Sequence, residues 1–180
     1  MSTMNFGAVN VLIHGQNRNL IELQRAALSG FKFRKIDACQ EFGKLLQALQ
    51  TKPRDIVIVN QSMEMDLPVV FRALRDHEHN PNPFSVVLLF TGTPSRRFLR
   101  DALRMGADGV VGLPFSAADL WKQLAYFVNA QRAFVRTSDY FGPDRRRMRG
   151  IVYNGDERRA GETFDEDHVV RNDVRVSAAR

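Results

Sequence analysis

Asp55-Ile56-Val57-Ile58-Val59-Asn60 sets four consecutive β-branched residues between two polar ends. Such a run suits a strand buried on both faces, as in the middle of a parallel sheet. Ser85-Val86-Val87-Leu88-Leu89-Phe90 repeats the pattern thirty residues later. Upstream, Val9 and Asn10 to Ile13 form a shorter apolar run that ends at His14-Gly15. Phe31 to Ile36 is expected to add a short strand, and Val110-Val111 another. Between them, apolar residues recur at helical spacing. Leu20, Leu23, Ala27 and Leu28 predict one helix, ended by Ser29-Gly30. Phe42, Leu45, Leu46 and Leu49 predict a second, stopped at Thr51-Lys52-Pro53. Pro68 to His77 is the third, with Val69, Val70, Ala73 and Leu74 inward. Ser95 to Met105 is the fourth, closed by Gly106. Ser116-Ala117-Ala118-Asp119 has the form of a capping box and opens the fifth, with Leu120, Leu124, Phe127 and Val128 toward the core.

Five β-α units by about residue 132, with short connections, predict an α/β fold: a five-stranded parallel sheet with helices on both faces. Residues 1–8 are an N-terminal extension and residues 9–133 the domain. Chemistry in such sheets gathers beyond the carboxyl ends of the strands. That points to the loops His14 to Arg18, Asn60 to Asp66, Thr91 to Ser95 and Gly112 to Phe115. From Phe134 the hydrophobic periodicity fades and charge rises, so residues 134–180 are expected to form a largely disordered, flexible, arginine-rich tail. The tail repeats a motif. Tyr140-Phe141-Gly142-Pro143-Asp144-Arg145-Arg146 is followed thirteen residues on by Tyr153-Asn154-Gly155-Asp156-Glu157-Arg158-Arg159, both Tyr-x-Gly-x-acid-Arg-Arg.

Of the 180 residues 44% are hydrophobic, enough for a domain core, but no run approaches a membrane span. No secretory signal is evident in Met1 to Val9, and Cys39 is the lone cysteine, so a cytoplasmic location is expected. One cysteine and four scattered histidines do not make a metal site; His77 and His79 fall in a polar loop. The net charge of +6 favours anionic partners without choosing among them. A Ser/His/Asp or Cys/His arrangement, a Walker-type phosphate loop and a facing carboxylate pair are all missing, so the chain is not expected to be an enzyme.

Residues 8 to 132 resemble the response-regulator receiver family, whose fold is flavodoxin-like (CheY-like). The resemblance lies in the strand Asp55 to Asn60, in Thr91 after the strand Ser85 to Phe90, in Gly106-Ala107-Asp108, and in Gly112-Leu113-Pro114-Phe115. It implies a phosphorelay signalling role and a site made of an acceptor aspartate, two magnesium-holding acids, a lysine and a Thr or Ser. Here the acid positions hold Gly15 and Gln16, the acceptor position Asn60 and the lysine position Leu113; Thr91 alone keeps its type. Val110 stands at the aromatic switch position. Glu64 and Asp66 lie in the loop beyond Asn60 and are read as solvated acids, not a metal pair. The expectation is therefore a degenerate receiver, a pseudo-receiver, that needs no magnesium and takes no phosphoryl group.

Such a module would act by protein binding. Receivers commonly use the face of helix 4, strand 5 and helix 5, either for partners or for homodimers. Arg96, Arg97, Arg100 and Arg104 line helix 4 there, with Trp121, Lys122 and Tyr126 on helix 5. The competing reading is a solvated helix face. In the tail, Arg145-Arg146-Arg147-Met148-Arg149 resembles the arginine stretch with which PilZ-type domains bind cyclic di-GMP, which implies a cyclic dinucleotide as an alternative ligand. Arg158 stands where that family's second motif has serine. Tyr140 and Tyr153 are candidate anchors if the tail docks to a protein. Nucleic-acid binding is disfavoured by Asp144, Asp156, Glu157 and Asp165-Glu166-Asp167, and by the lack of a helix-turn-helix pattern.

Overall fold

The computed structural model describes residues 6–129, 133–137, 140–144 and 169–171. Strands β1 (Asn10–His14), β2 (Lys35–Cys39), β3 (Ile56–Asn60), β4 (Val86–Thr91) and β5 (Gly109–Gly112) form one sheet in the order β2-β1-β3-β4-β5. All its pairings are parallel. Helices α1 (Arg18–Gly30), α2 (Phe42–Thr51), α3 (Leu67–Leu74), α4 (Arg96–Met105) and α5 (Ala117–Asn129) alternate with the strands. The expected five β-α units are all present.

The period-2 geometry of the central strands divides the core in two. Val11, Ile13, Ile56, Ile58, Leu88 and Phe90 face one way, onto Ile21 and Leu28 of α1 and Leu120 and Leu124 of α5. Leu12, Val57, Val59, Val87 and Leu89 face the other, onto residues of α2, α3 and α4. This is why β3 and β4 tolerate no polar residue before their last positions. Ser116 and Asp119 exchange cap bonds: the Asp119 amide donates to Ser116 Oγ at 3.1 Å, and the Ser116 amide donates to Asp119 Oδ2 at 3.2 Å. Gly106 closes α4 at φ 107°, a left-handed cap that favours glycine.

Some expectations need correction. Phe31 to Arg34 are not strand; Lys32 has φ 68°, and β2 begins at Lys35. Phe31 and Phe33 alternate because both turn toward the core beside α5, not because the segment is pleated. The buried stripe of α1 is Ile21, Gln24 and Leu28, whereas Leu23 is 56% exposed. In α3, Phe71 points inward and Val69 outward.

The chain also continues as structure where the flexible tail was expected to start. Strands β6 (Ala133–Arg136) and β7 (Phe141–Pro143) pair antiparallel, and β8 (Val169–Arg171) pairs with β6 on its other side. Phe134 is buried, edge-on to Phe84 at 5.0 Å, and the Arg75 guanidinium lies 5.3 Å from its ring centre. Arg75 is itself buried and ion-paired with Asp108 at 2.8 Å. It also donates to the carbonyls of Pro83, Ser85 and Gly106. The Gly-Ala-Asp segment thus does structural work: Asp108 neutralises a buried cation and accepts the Val87 amide at 2.8 Å.

Candidate functional site

The strand order reverses at β1, so the loops after β1 and β3 part there and leave a crevice, the usual ligand position in such sheets. Asn60 is the last residue of β3 and is 3% exposed. Its side chain meets that of Gln24, which reaches up from α1. The Gln24 amide donates to Asn60 Oδ1 at 2.7 Å, and the Asn60 amide donates to Gln24 Oε1 at 2.8 Å. Two neutral carboxamides thereby satisfy each other in a buried setting, where unmet polar groups are costly. Gly15, at the end of β1, presses on this pair. A Cβ added at Gly15 would fall 2.5 Å from Asn60 Cβ, so any side chain there must displace Asn60.

The remaining predicted positions have partners of their own. Gln16 is exposed, its amide 3.5 Å from Glu64 Oε2 and its carbonyl accepting from Gln40. Thr91 is fully buried; its hydroxyl donates to Gln61 Oε1, and its oxygen accepts the Thr93 amide at 3.1 Å. Leu113 is half-buried against the core on the α1 and α5 side. Asp66 caps α3 by accepting the Val69 amide at 3.2 Å. His14 is buried beside the crevice, its Nδ1 3.2 Å from the Cys39 carbonyl; burial lowers its pKa. Burial also pushes the neighbouring Cys39 thiol up to about 11, so it is a poor nucleophile.

Magnesium demands several oxygen ligands in near-octahedral order, with carboxylates the usual protein donors. Asn60 Oδ1 already accepts from Gln24, Gly15 offers no side chain, and Asp66 is committed as a helix cap. These residues do not fit a magnesium site. Among the described residues no group of three His, Cys, Asp or Glu side chains is placed to hold a metal.

On α4, Arg96, Arg97, Arg100 and Arg104 are exposed. Asp101 interrupts the row: it lies 3.8 Å from Arg97 and 3.7 Å from Arg104. Arg96 and Arg100 make no ion pair with another described residue. Trp121 does not join this face; it packs on Phe6 and Phe31 near the end of α1. Tyr140 folds over Gly142 and donates to the Pro143 carbonyl at 3.1 Å, which explains the Tyr-x-Gly spacing of the first repeat copy. Arg145, Arg146, Arg147, Arg149 and Tyr153 lie outside the described residues. Within those residues no helix is long and apolar enough to cross a membrane.

Gln24 is the residue of this crevice that the sequence pattern did not single out. It was legible as a polar residue on the stripe shared by Ile21 and Leu28, a position where burial requires a partner.

No protein-family model matches the chain, and no curated protein matches it. Solved structures do. The Vibrio cholerae chemotaxis response regulator CheY4 superposes with a TM-score of 0.59 at 18% identity, over 66% of this chain and 97% of that one. The receiver domain of a Pseudomonas aeruginosa sensor histidine kinase, solved with magnesium in its active-site cleft, gives 0.57 at 14% identity, over 68% and 100%. The receiver domain of a Saccharomyces cerevisiae response regulator, solved with a histidine phosphotransfer signalling protein, gives 0.57 at 16% identity, over 67% and 88%. The chain therefore has the CheY-like receiver fold.

Proposed function

We propose that this receiver-fold chain is a phosphorylation-independent, non-enzymatic signalling module that acts by docking to a protein partner. The reciprocal Gln24–Asn60 amide pair is the observation that supports it. Phosphoryl acceptance at the end of β3 needs a carboxylate oxygen as nucleophile, a divalent ion to neutralise the donor, and a cation for the transferred group. Asn60 supplies a delocalised amide whose nitrogen and oxygen are both bonded to Gln24. Gly15 leaves no room for an acid, and Leu113 carries no charge.

Docking falls to the surface. Arg96, Arg97 and Arg100 project from α4 with fork-shaped donors suited to carboxylates, so an acidic face on another protein is the partner chemistry this helix favours. Incubation with acetyl phosphate and magnesium, followed by intact-mass measurement, tests the reading. No gain of a phosphoryl mass is expected; a stoichiometric gain that maps to the β3–α3 loop contradicts it.

A further inference from the structure

The β6–β7 hairpin borders an open groove, of about 520 Å³, together with α3 and the last turn of α4. It is separate from the Asn60 crevice and shares none of its residues. Its volume lies in the range of small-molecule sites, roughly 300–1,000 Å³. Four arginines line it from three elements: Arg72 and Arg75 from α3 and its cap, Arg104 from α4, and Arg136 from β6. Arg75 is committed to Asp108 and to backbone carbonyls, so it builds the wall. Arg72 and Arg136 are exposed and make no ion pair with another described residue. Arg104 adds a third guanidinium, shared with Asp101.

Two acids share the lining. Asp76 is already engaged: it accepts the amides of Glu78 and His79 and pairs with the His79 ring at 2.8 Å. Glu78 is the other. Four arginines stand against two carboxylates in the lining, and guanidinium groups favour an anion with several oxygens. Aromatic rings make up part of the remaining wall, beside Pro68, Met105 and Thr137. The His77 and Phe141 rings stack at 5.7 Å, and Tyr140 is fixed by its bond to the Pro143 carbonyl. A flat ring with a phosphate attached satisfies both halves of this lining.

We propose that this groove binds a nucleotide, its phosphate held by Arg72, Arg104 and Arg136 and its base set against His77, Tyr140 and Phe141. Calorimetric titration of the full chain with GMP tests it, beside Arg72→Ala, Arg136→Ala and the control Arg97→Ala, with melting temperatures checking that each variant is folded. Saturable GMP binding is expected, weakened at least tenfold by Arg72→Ala and by Arg136→Ala and unchanged by Arg97→Ala. Inorganic phosphate is expected to bind at least tenfold more weakly than GMP. Absence of saturable heat at millimolar GMP would overturn the assignment. So would equal binding by both groove variants, or phosphate binding as tight as that of GMP.

Discussion

Placing a carboxylate at the end of β3, by Asn60→Asp, should destabilise the protein. In the wild-type pair, Asn60 Nδ2 donates to Gln24 Oε1 at 2.8 Å and Asn60 Oδ1 accepts from Gln24 at 2.7 Å. Aspartate keeps the second bond and turns the first into two oxygens facing each other. A buried acceptor left without a donor costs about 1–3 kcal/mol. A negative charge 3% exposed and without a cation raises the total to about 3–5 kcal/mol. A charge-dependent share of about 3 kcal/mol corresponds to about two pKa units, moving the carboxyl from about 3.9 to about 6. Because the folded-state pKa is raised, the folded protein holds a proton that the unfolded chain releases between those values. Stability relative to wild type therefore falls as pH rises from about 4 to about 6 and stays low above. Below that window the introduced carboxyl group is protonated and donates to Gln24 Oε1, and the penalty shrinks to about 1 kcal/mol. Urea denaturation of both proteins at pH 5, 6, 7 and 8 measures the difference. Equal stability at pH 8, or a larger deficit at pH 5 than at pH 8, would refute this reasoning.

Other substitutions test the same packing. Gly15→Ala forces a methyl against Asn60 Cβ and should cost about 1–3 kcal/mol in urea denaturation; a neutral result would show that the crevice has slack. Asp108→Ala strands the buried Arg75 cation and the Val87 amide, with an expected loss of about 3–5 kcal/mol in the same assay. Phe134→Ala removes a ring 2% exposed, so unfolding should become easier by about 3–5 kcal/mol. A change under about 0.5 kcal/mol, the range of an ordinary surface substitution, would mean that the hairpin does not dock on Phe84 and Arg75 in solution.

The sheet was legible because its inner strands are bare apolar runs. Ile56 to Val59 and Val87 to Phe90 are buried on both faces, and burial of that kind leaves no room for a misleading polar residue. The edge strand β2 is hard to place from sequence because Lys35 to Cys39 are only partly covered and the Phe31–Phe33 alternation beside them is the stronger pattern. The hairpin escaped notice because Phe134 and Phe141 find their partners, Phe84 and Arg75, some fifty residues away in sequence. Order alone placed Gly15 and Gln16 after β1, Asn60 at the end of β3 and Leu113 after β5. It did not show what fills the space: Gln24 and Asn60 are 36 residues apart, and only the closeness of α1 to β3 makes them a pair.

The amide protons of Asn60 and Gln24 report on the crevice most directly. In ¹⁵N-labelled protein, both side-chain NH₂ groups should show protected resonances that stay in place as magnesium is raised to 20 mM, a concentration of about that order sufficing to fill any carboxylate site of ordinary affinity. Saturable movement of both pairs of resonances, with the Gly15 amide moving in step, would contradict the account.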